Sequence, residues 1–185
     1  MKKVLALAVL SLAMAACETP TAQRYSISAD NNSAIKALSV TSVGFRSFTG
    51  PEKFNATCRA LGPIKVADGL SHTQYIQKAF EDEFKIAGAH AQDRVPQTTL
   101  GGVVTKLDFS SSQGLTRGFW DIDLTLESSN GRTLSVSEHY EFDTGFIANE
   151  ACRNTAEAFT RAVQNLVGKA VRTPDFKGLL LPSAS

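Results

Sequence analysis

From Trp120 to Glu127 the chain alternates without a break, with Trp120, Ile122, Leu124 and Leu126 on one parity and Asp121, Asp123, Thr125 and Glu127 on the other. Successive side chains of a strand point to opposite faces, so this stretch predicts a strand with one apolar and one wet face. The next apolar parity is Leu134, Val136, Tyr140 and Phe142, and it must face the same side. A two-residue Asn130-Gly131 turn would set Leu126 opposite Ser135 and throw the two apolar sets onto opposite faces. A three-residue turn, Ser129-Asn130-Gly131, instead sets Leu126 opposite Leu134, Leu124 opposite Val136, Ile122 opposite Glu138 and Trp120 opposite Tyr140. The expected connection is a type I turn with Gly131 left-handed in a bulge. One carboxylate, Glu138, falls on the apolar parity. We read it as solvated near a sheet edge, where it can reach water or a basic side chain; the alternative is a buried ionisable group with a purpose.

The other elements can be read around this hairpin. Ser71 and Gln74 have the spacing of a capping box, Ile76, Phe80, Phe84 and Ala87 recur at helical intervals, and Gly88 is placed to end the helix. Asn149 to Arg172 predicts a second helix, with Cys152, Ala156, Phe159, Val163, Leu166 and Ala170 along one stripe. Thr173-Pro174 ends it, and Asp175 to Leu181 can add a short turn with Phe176, Leu179 and Leu180 packing back. Thr99 to Phe109 reads as a strand, and Ala34 to Phe45 as a first strand with a bulge near Thr41. Gly50 to Gly69 lacks periodicity and reads as a long loop. The order strand, helix, three strands, helix predicts an α+β fold: a two-layer sandwich in which a mostly antiparallel four-stranded sheet carries two helices on one face.

The N-terminal stretch bears on location. Lys2 and Lys3 precede an apolar run from Val4 to Met14, and Met14-Ala15-Ala16-Cys17 closes it with small residues before a cysteine. This is a secretory signal, too short to stay across a bilayer. Its end resembles the lipobox of bacterial lipoproteins, in which the cysteine takes a thioether-linked diacylglycerol and becomes the acylated N-terminus. Met14 stands where Leu is usual, and ordinary secretion is the alternative. Cleavage before Cys17 leaves 169 residues: a flexible, polar tether from 17 to 33, one domain from 34 to 181, and a fraying tail from 182 to 185. It also removes two of the 19 basic residues against 18 acidic ones, so the mature net charge is −1, which does not suggest binding to nucleic acid. Cys58 and Cys152 are then the two thiols left in an oxidising compartment, and such a pair reads as a disulfide; two separate buried thiols are the alternative.

No residue set spells out a reaction. His72, His90 and His139 are far apart, show no metal-ligand spacing and read as unrelated surface histidines. Asp121, Asp123 and Glu127 read as the solvated side of one strand rather than an acid/base pair. Leu100-Gly101-Gly102-Val103 reads as a bulge or a close backbone approach. Ser110 to Gly114, with Leu115, Arg117 and Phe119, reads as a flexible loop, and Phe146-Ile147 as an apolar tip; Ser111, Leu115, Phe119 and Phe146 are the candidates for contact with a partner.

Lipobox, short tether and this order of elements resemble the small periplasm-facing lipoproteins of proteobacteria: the lipopolysaccharide-assembly lipoprotein, the auxiliary lipoproteins of membrane ABC transporters and the YajG-type lipoproteins. Arg24 to Asn31, Ser128 to Gly131 with Leu134 to Glu138, and Ala151-Cys152 with Thr155 to Phe159 are similar to segments of uncharacterised proteobacterial lipoproteins. The resemblance implies an envelope protein on the inner leaflet of the outer membrane, facing the periplasm, since Glu18 is not the Asp that retains lipoproteins at the inner membrane. The expected role is a non-enzymatic assembly or accessory factor without a cofactor, bound to another envelope protein. The alternative is a lipid- or glycan-binding module with a concave pocket near Trp120 and Tyr140. A hydrolase would need Glu138, Asp121 or Asp123 in a cleft.

Overall fold

The computed structural model describes residues 19–182. The elements in chain order are β1 (Thr21–Ala22), α1 (Ala29–Ala37), β2 (Val43–Phe45), β3 (Lys65–Val66), α2 (His72–Ala87), β4 (Thr98–Gln113), β5 (Arg117–Ser128), β6 (Thr133–Asp143), α3 (Ala148–Arg172) and α4 (Phe176–Leu180). The main sheet has the order β2-β4-β5-β6, with β2 parallel to β4 and the other pairs antiparallel. A mixed α+β fold on a mostly antiparallel four-stranded sheet is thus present, with four helices among the described residues where two were expected.

The β5–β6 hairpin has the register argued from the apolar parities. Leu126 pairs Leu134, Leu124 pairs Val136, Ile122 pairs Glu138 and Trp120 pairs Tyr140. Ser128 N–H donates to Arg132 O across the three-residue turn, where Gly131 has φ +85°. The inward parity of the strands meets α2 and α3 in one core, in which Trp120, Ile122, Leu124, Phe80, Phe84 and Phe159 are fully buried. α2 has the expected capping box, with Ser71 Oγ accepting from Gln74 N–H and Gln74 Oε1 accepting from Ser71 N–H, and it ends at a left-handed Gly88. The two glycines at the start of β4 mark a close approach: a Cβ on Gly102 would come within 2.7 Å of the Phe48 ring. Phe176, Leu179 and Leu180 pack back into the core as expected.

The N-terminal third departs from the sequence reading. Ala34 to Phe45 is not one strand: Ala29–Ala37 is helical, Ser39 and Ser42 have left-handed φ values of 54° and 68°, and only Val43–Phe45 pairs in the sheet. Nor do residues 19–33 form a free tether. β1 pairs in parallel with β3, and Ser28 caps α1, which packs on α2 and α3. The cause is polar anchoring, to which a search for apolar periodicity is blind. Asn31 Nδ2 donates to Gln164 O, Asn32 Nδ2 to Glu83 O, and Gln164 Nε2 to Ser26 O. The tail from 183 to 185, the signal and Cys17 lie outside the described residues.

Candidate functional site

Three loops meet at one end of the sheet. The first is the turn Cys58 to Gly62, closed by bonds from Cys58 N–H to Gly62 O and from Leu61 N–H to Cys58 O. Cys58 is disulfide-bonded to Cys152 in the first turns of α3, which fastens this turn to the helix. Arg59 has a left-handed φ of 48°, a conformation that a residue with a long side chain adopts only when its surroundings hold it there. Its guanidinium donates to Ser111 O at 2.5 Å, near the end of β4, and to Phe146 O at 3.4 Å, in the β6–α3 loop. The β4–β5 turn and the β6–α3 loop are tied to each other in turn, Thr144 N–H donating to Thr116 O at 2.7 Å.

The chain caps this polar framework with apolar side chains. Leu115, Phe146 and Ile147 are 74, 71 and 67 % exposed, and Leu61, on the same turn as Arg59, is 39 % exposed. An apolar patch held rigid from below by a disulfide and an arginine, and left uncovered above, is an interaction surface in form. Of the four residues expected to meet a partner, Leu115 and Phe146 belong to it. Ser111 does not: it is buried in β4, which runs on to Gln113, so the stretch from Ser110 is strand rather than flexible loop. Phe119 lies in β5 on the open sheet face against His139, with ring centroids 5.5 Å apart. Arg59 and Leu61 were missed because the long loop offered no periodicity; the signal was the cysteine beside them.

The titratable groups are built into the structure elsewhere. Glu138 is buried rather than solvated: Asn165 Nδ2 donates to its Oε1 at 3.1 Å, and Lys169 Nζ, from α3, lies 2.6 Å from its Oε2. Asp121 is gripped on the open face by Lys106 at 2.9 Å and His139 at 2.5 Å. Partial burial pushes the Asp121 carboxyl up, but hydrogen bonds from these two partners outweigh it and hold the pKa below the usual range. The same bond raises the His139 pKa. His72 is not a surface histidine: it packs among Phe54, Trp120 and Phe159, and burial lowers its pKa to about 4. His90 stacks on Phe45, and its pKa too is lowered, by burial first and by Lys85 next. Among the described residues no group of three or more His, Cys, Asp or Glu side chains is placed to hold a metal ion.

Trp120 is wholly buried, stacked on Phe109, with its Nε1 donating to Thr155 O. A cleft of about 120 Å³ does open elsewhere, walled by Tyr25, Tyr75 and Leu70 and crossed by the Arg24–Asp68 ion pair. It is smaller than the few hundred Å³ that a lipid or oligosaccharide site spans.

No protein-family model and no curated protein matches the sequence. In fold the chain is similar to protein XCC0632 from Xanthomonas campestris, family model DUF330, known from a crystal structure. The TM-score is 0.50 at 13 % identity, over 71 % of this chain and 84 % of that one. At that identity the likeness concerns the fold alone.

Proposed function

We propose that this protein is a lipid-anchored component of a bacterial envelope, held by Cys17 on the periplasmic side of the outer membrane, and that it acts without chemistry of its own as an assembly or accessory factor for another envelope protein. The observation that carries the reading is the Cys58–Cys152 disulfide. Disulfides persist in oxidising compartments, and the signal-like start of the chain leads to one. The engagement of Asp121, Glu138 and His72 in structural contacts favours a binding role over a catalytic one.

The test is crosslinking of the native protein in cells, followed by mass spectrometry of what is attached. One dominant envelope protein is the expected result. Recovery of the uncrosslinked chain alone, or of a lipid or glycan with no protein, would overturn the accessory-factor reading, the second result in favour of a ligand-binding module.

A further inference from the structure

Two independent registers show where the chain comes from before Thr21. β1 and β3 are parallel, with Thr21 opposite Lys65, and Lys65 N–H donates to Pro20 O at 2.9 Å. Parallel strands recede in the same direction, so the chain before Thr21 runs back as the chain before Lys65 does, toward Pro63, Gly62 and Leu61. Along α3 the contacts agree. Gln23 O accepts from Thr160, Ser26 O from Gln164, and Asn31 from Arg172. Followed backward, the segment descends α3 toward Cys152. Both registers point toward the Cys58–Cys152 disulfide and the loops that carry Leu61, Leu115, Phe146 and Ile147.

Cys17 precedes Pro20 by three residues, which span at most about 10 Å of extended chain. The Cys17 backbone therefore lies within that reach of the Pro20–Lys65 contact, with a thioether-linked glycerol only a side chain's length further, and the domain cannot stand away from the bilayer on a tether. The end pressed toward the lipid carries four of the exposed large apolar residues, Leu61, Leu115, Phe146 and Ile147. We infer that the loops at Leu61, Leu115, Phe146 and Ile147 dock the domain onto the surface of the bilayer that holds Cys17, with these side chains in the interface between headgroups and acyl chains. This rests on the anchoring proposed above. The attraction is apolar rather than electrostatic, in keeping with a mature net charge of −1 and with an Arg59 guanidinium already committed to Ser111 and Phe146. The remaining surface, including the open sheet face with Phe119, His139 and Asp121, is turned to the periplasm.

The experiment uses the full mature lipoprotein in vesicles of phosphatidylethanolamine and phosphatidylglycerol with brominated acyl chains, which quench tryptophan on contact. Trp120 is wholly buried and provides a constant background. Phe146→Trp and Leu115→Trp are placed at exposed positions of the docking end. Val95→Trp is 90 % exposed beyond the other end of the 16-residue β4. The mass of the N-terminal peptide reads the lipid on Cys17 separately. With Cys17 lipidated, quenching at 146 and 115 several-fold above that at 95 is the expected result. Equal quenching, or none, in a lipidated protein overturns the docking and leaves the anchor standing. A Cys17 without lipid overturns both.

Discussion

The Tyr25 hydroxyl donates to Oε1 of Glu83 at 2.8 Å, joining a residue of the N-terminal segment to the fully buried face of α2. Ser28 N–H donates to the same oxygen at 2.8 Å. Burial first, and then this bond to a carboxylate, push the Tyr25 pKa far above its ordinary value, so the phenol stays a donor. Tyr25→Phe should remove one of the two donors to a buried oxygen and cost roughly 1 to 3 kcal/mol. Urea denaturation checks it, and an unshifted midpoint would mean that the Tyr25–Glu83 bond adds nothing to the stability of the domain.

The disulfide closes a loop between residues 94 apart in sequence. Constraint of the unfolded chain by a loop of that length contributes about 4 kcal/mol. The double change Cys58→Ser with Cys152→Ser should lower unfolding free energy by that order. It should also speed amide exchange at Arg59 and Leu61, whose turn is then left with the Arg59 bonds to Ser111 and Phe146; exchange there at the parent rate would refute this role for the bridge.

Acid should unfold the protein partly through His72. Its folded pKa is about 4, whereas the unfolded imidazole titrates near its ordinary 6.5. Between those values the unfolded state binds more protons, so stability falls as the pH drops from 6.5 toward 4, by on the order of 3 kcal/mol in all. His90, with its lowered pKa, acts in the same direction. His139 acts in the opposite one: its raised pKa contributes stability that is full below the unfolded value and lost as pH rises through the folded one, and its exposure keeps this small. His72→Phe should flatten the acid limb of a stability–pH curve, and an unchanged slope would sink the assignment.

Lys169 supplies the cation for the buried Glu138. Lys169→Met should cost about 2 kcal/mol, below the full penalty of an orphaned buried charge because Asn165 still donates to the carboxylate. The double variant Lys169→Met with Glu138→Gln should recover most of the loss. If the double variant is no more stable than the single one, the pair is not coupled.

The parts of the fold that could be read early share a property: their geometry follows from local spacing. The β5–β6 register followed from two apolar parities and one turn length, the capping box of α2 from Ser71 and Gln74, and the stripe of α3 from residues three and four apart. α1 escaped because its buried residues include Asn31 and Asn32, and Ile35 is its one large apolar contact. Alternation at Leu38, Val40, Val43 and Phe45 imitated a strand that left-handed Ser39 and Ser42 interrupt. Of the candidate contact residues, Leu115 and Phe146 were legible as apolar residues in loops, while Ser111 was misplaced by ending β4 four residues early and Phe119 by starting β5 three residues late.

By itself the sequence determined which faces of β5, β6, α2 and α3 are apolar, because each follows from residue type and near-neighbour spacing. Tertiary structure alone decided that residues 19–33 are part of the domain, that Glu138 is buried in it and His72 packs among Phe54, Trp120 and Phe159, and that Arg59 joins the Cys58–Gly62 turn to the end of β4 and the β6–α3 loop. Those outcomes rest on hydrogen bonds and packing between residues tens of positions apart. Such contacts have no period along the chain and exist only once the chain has folded.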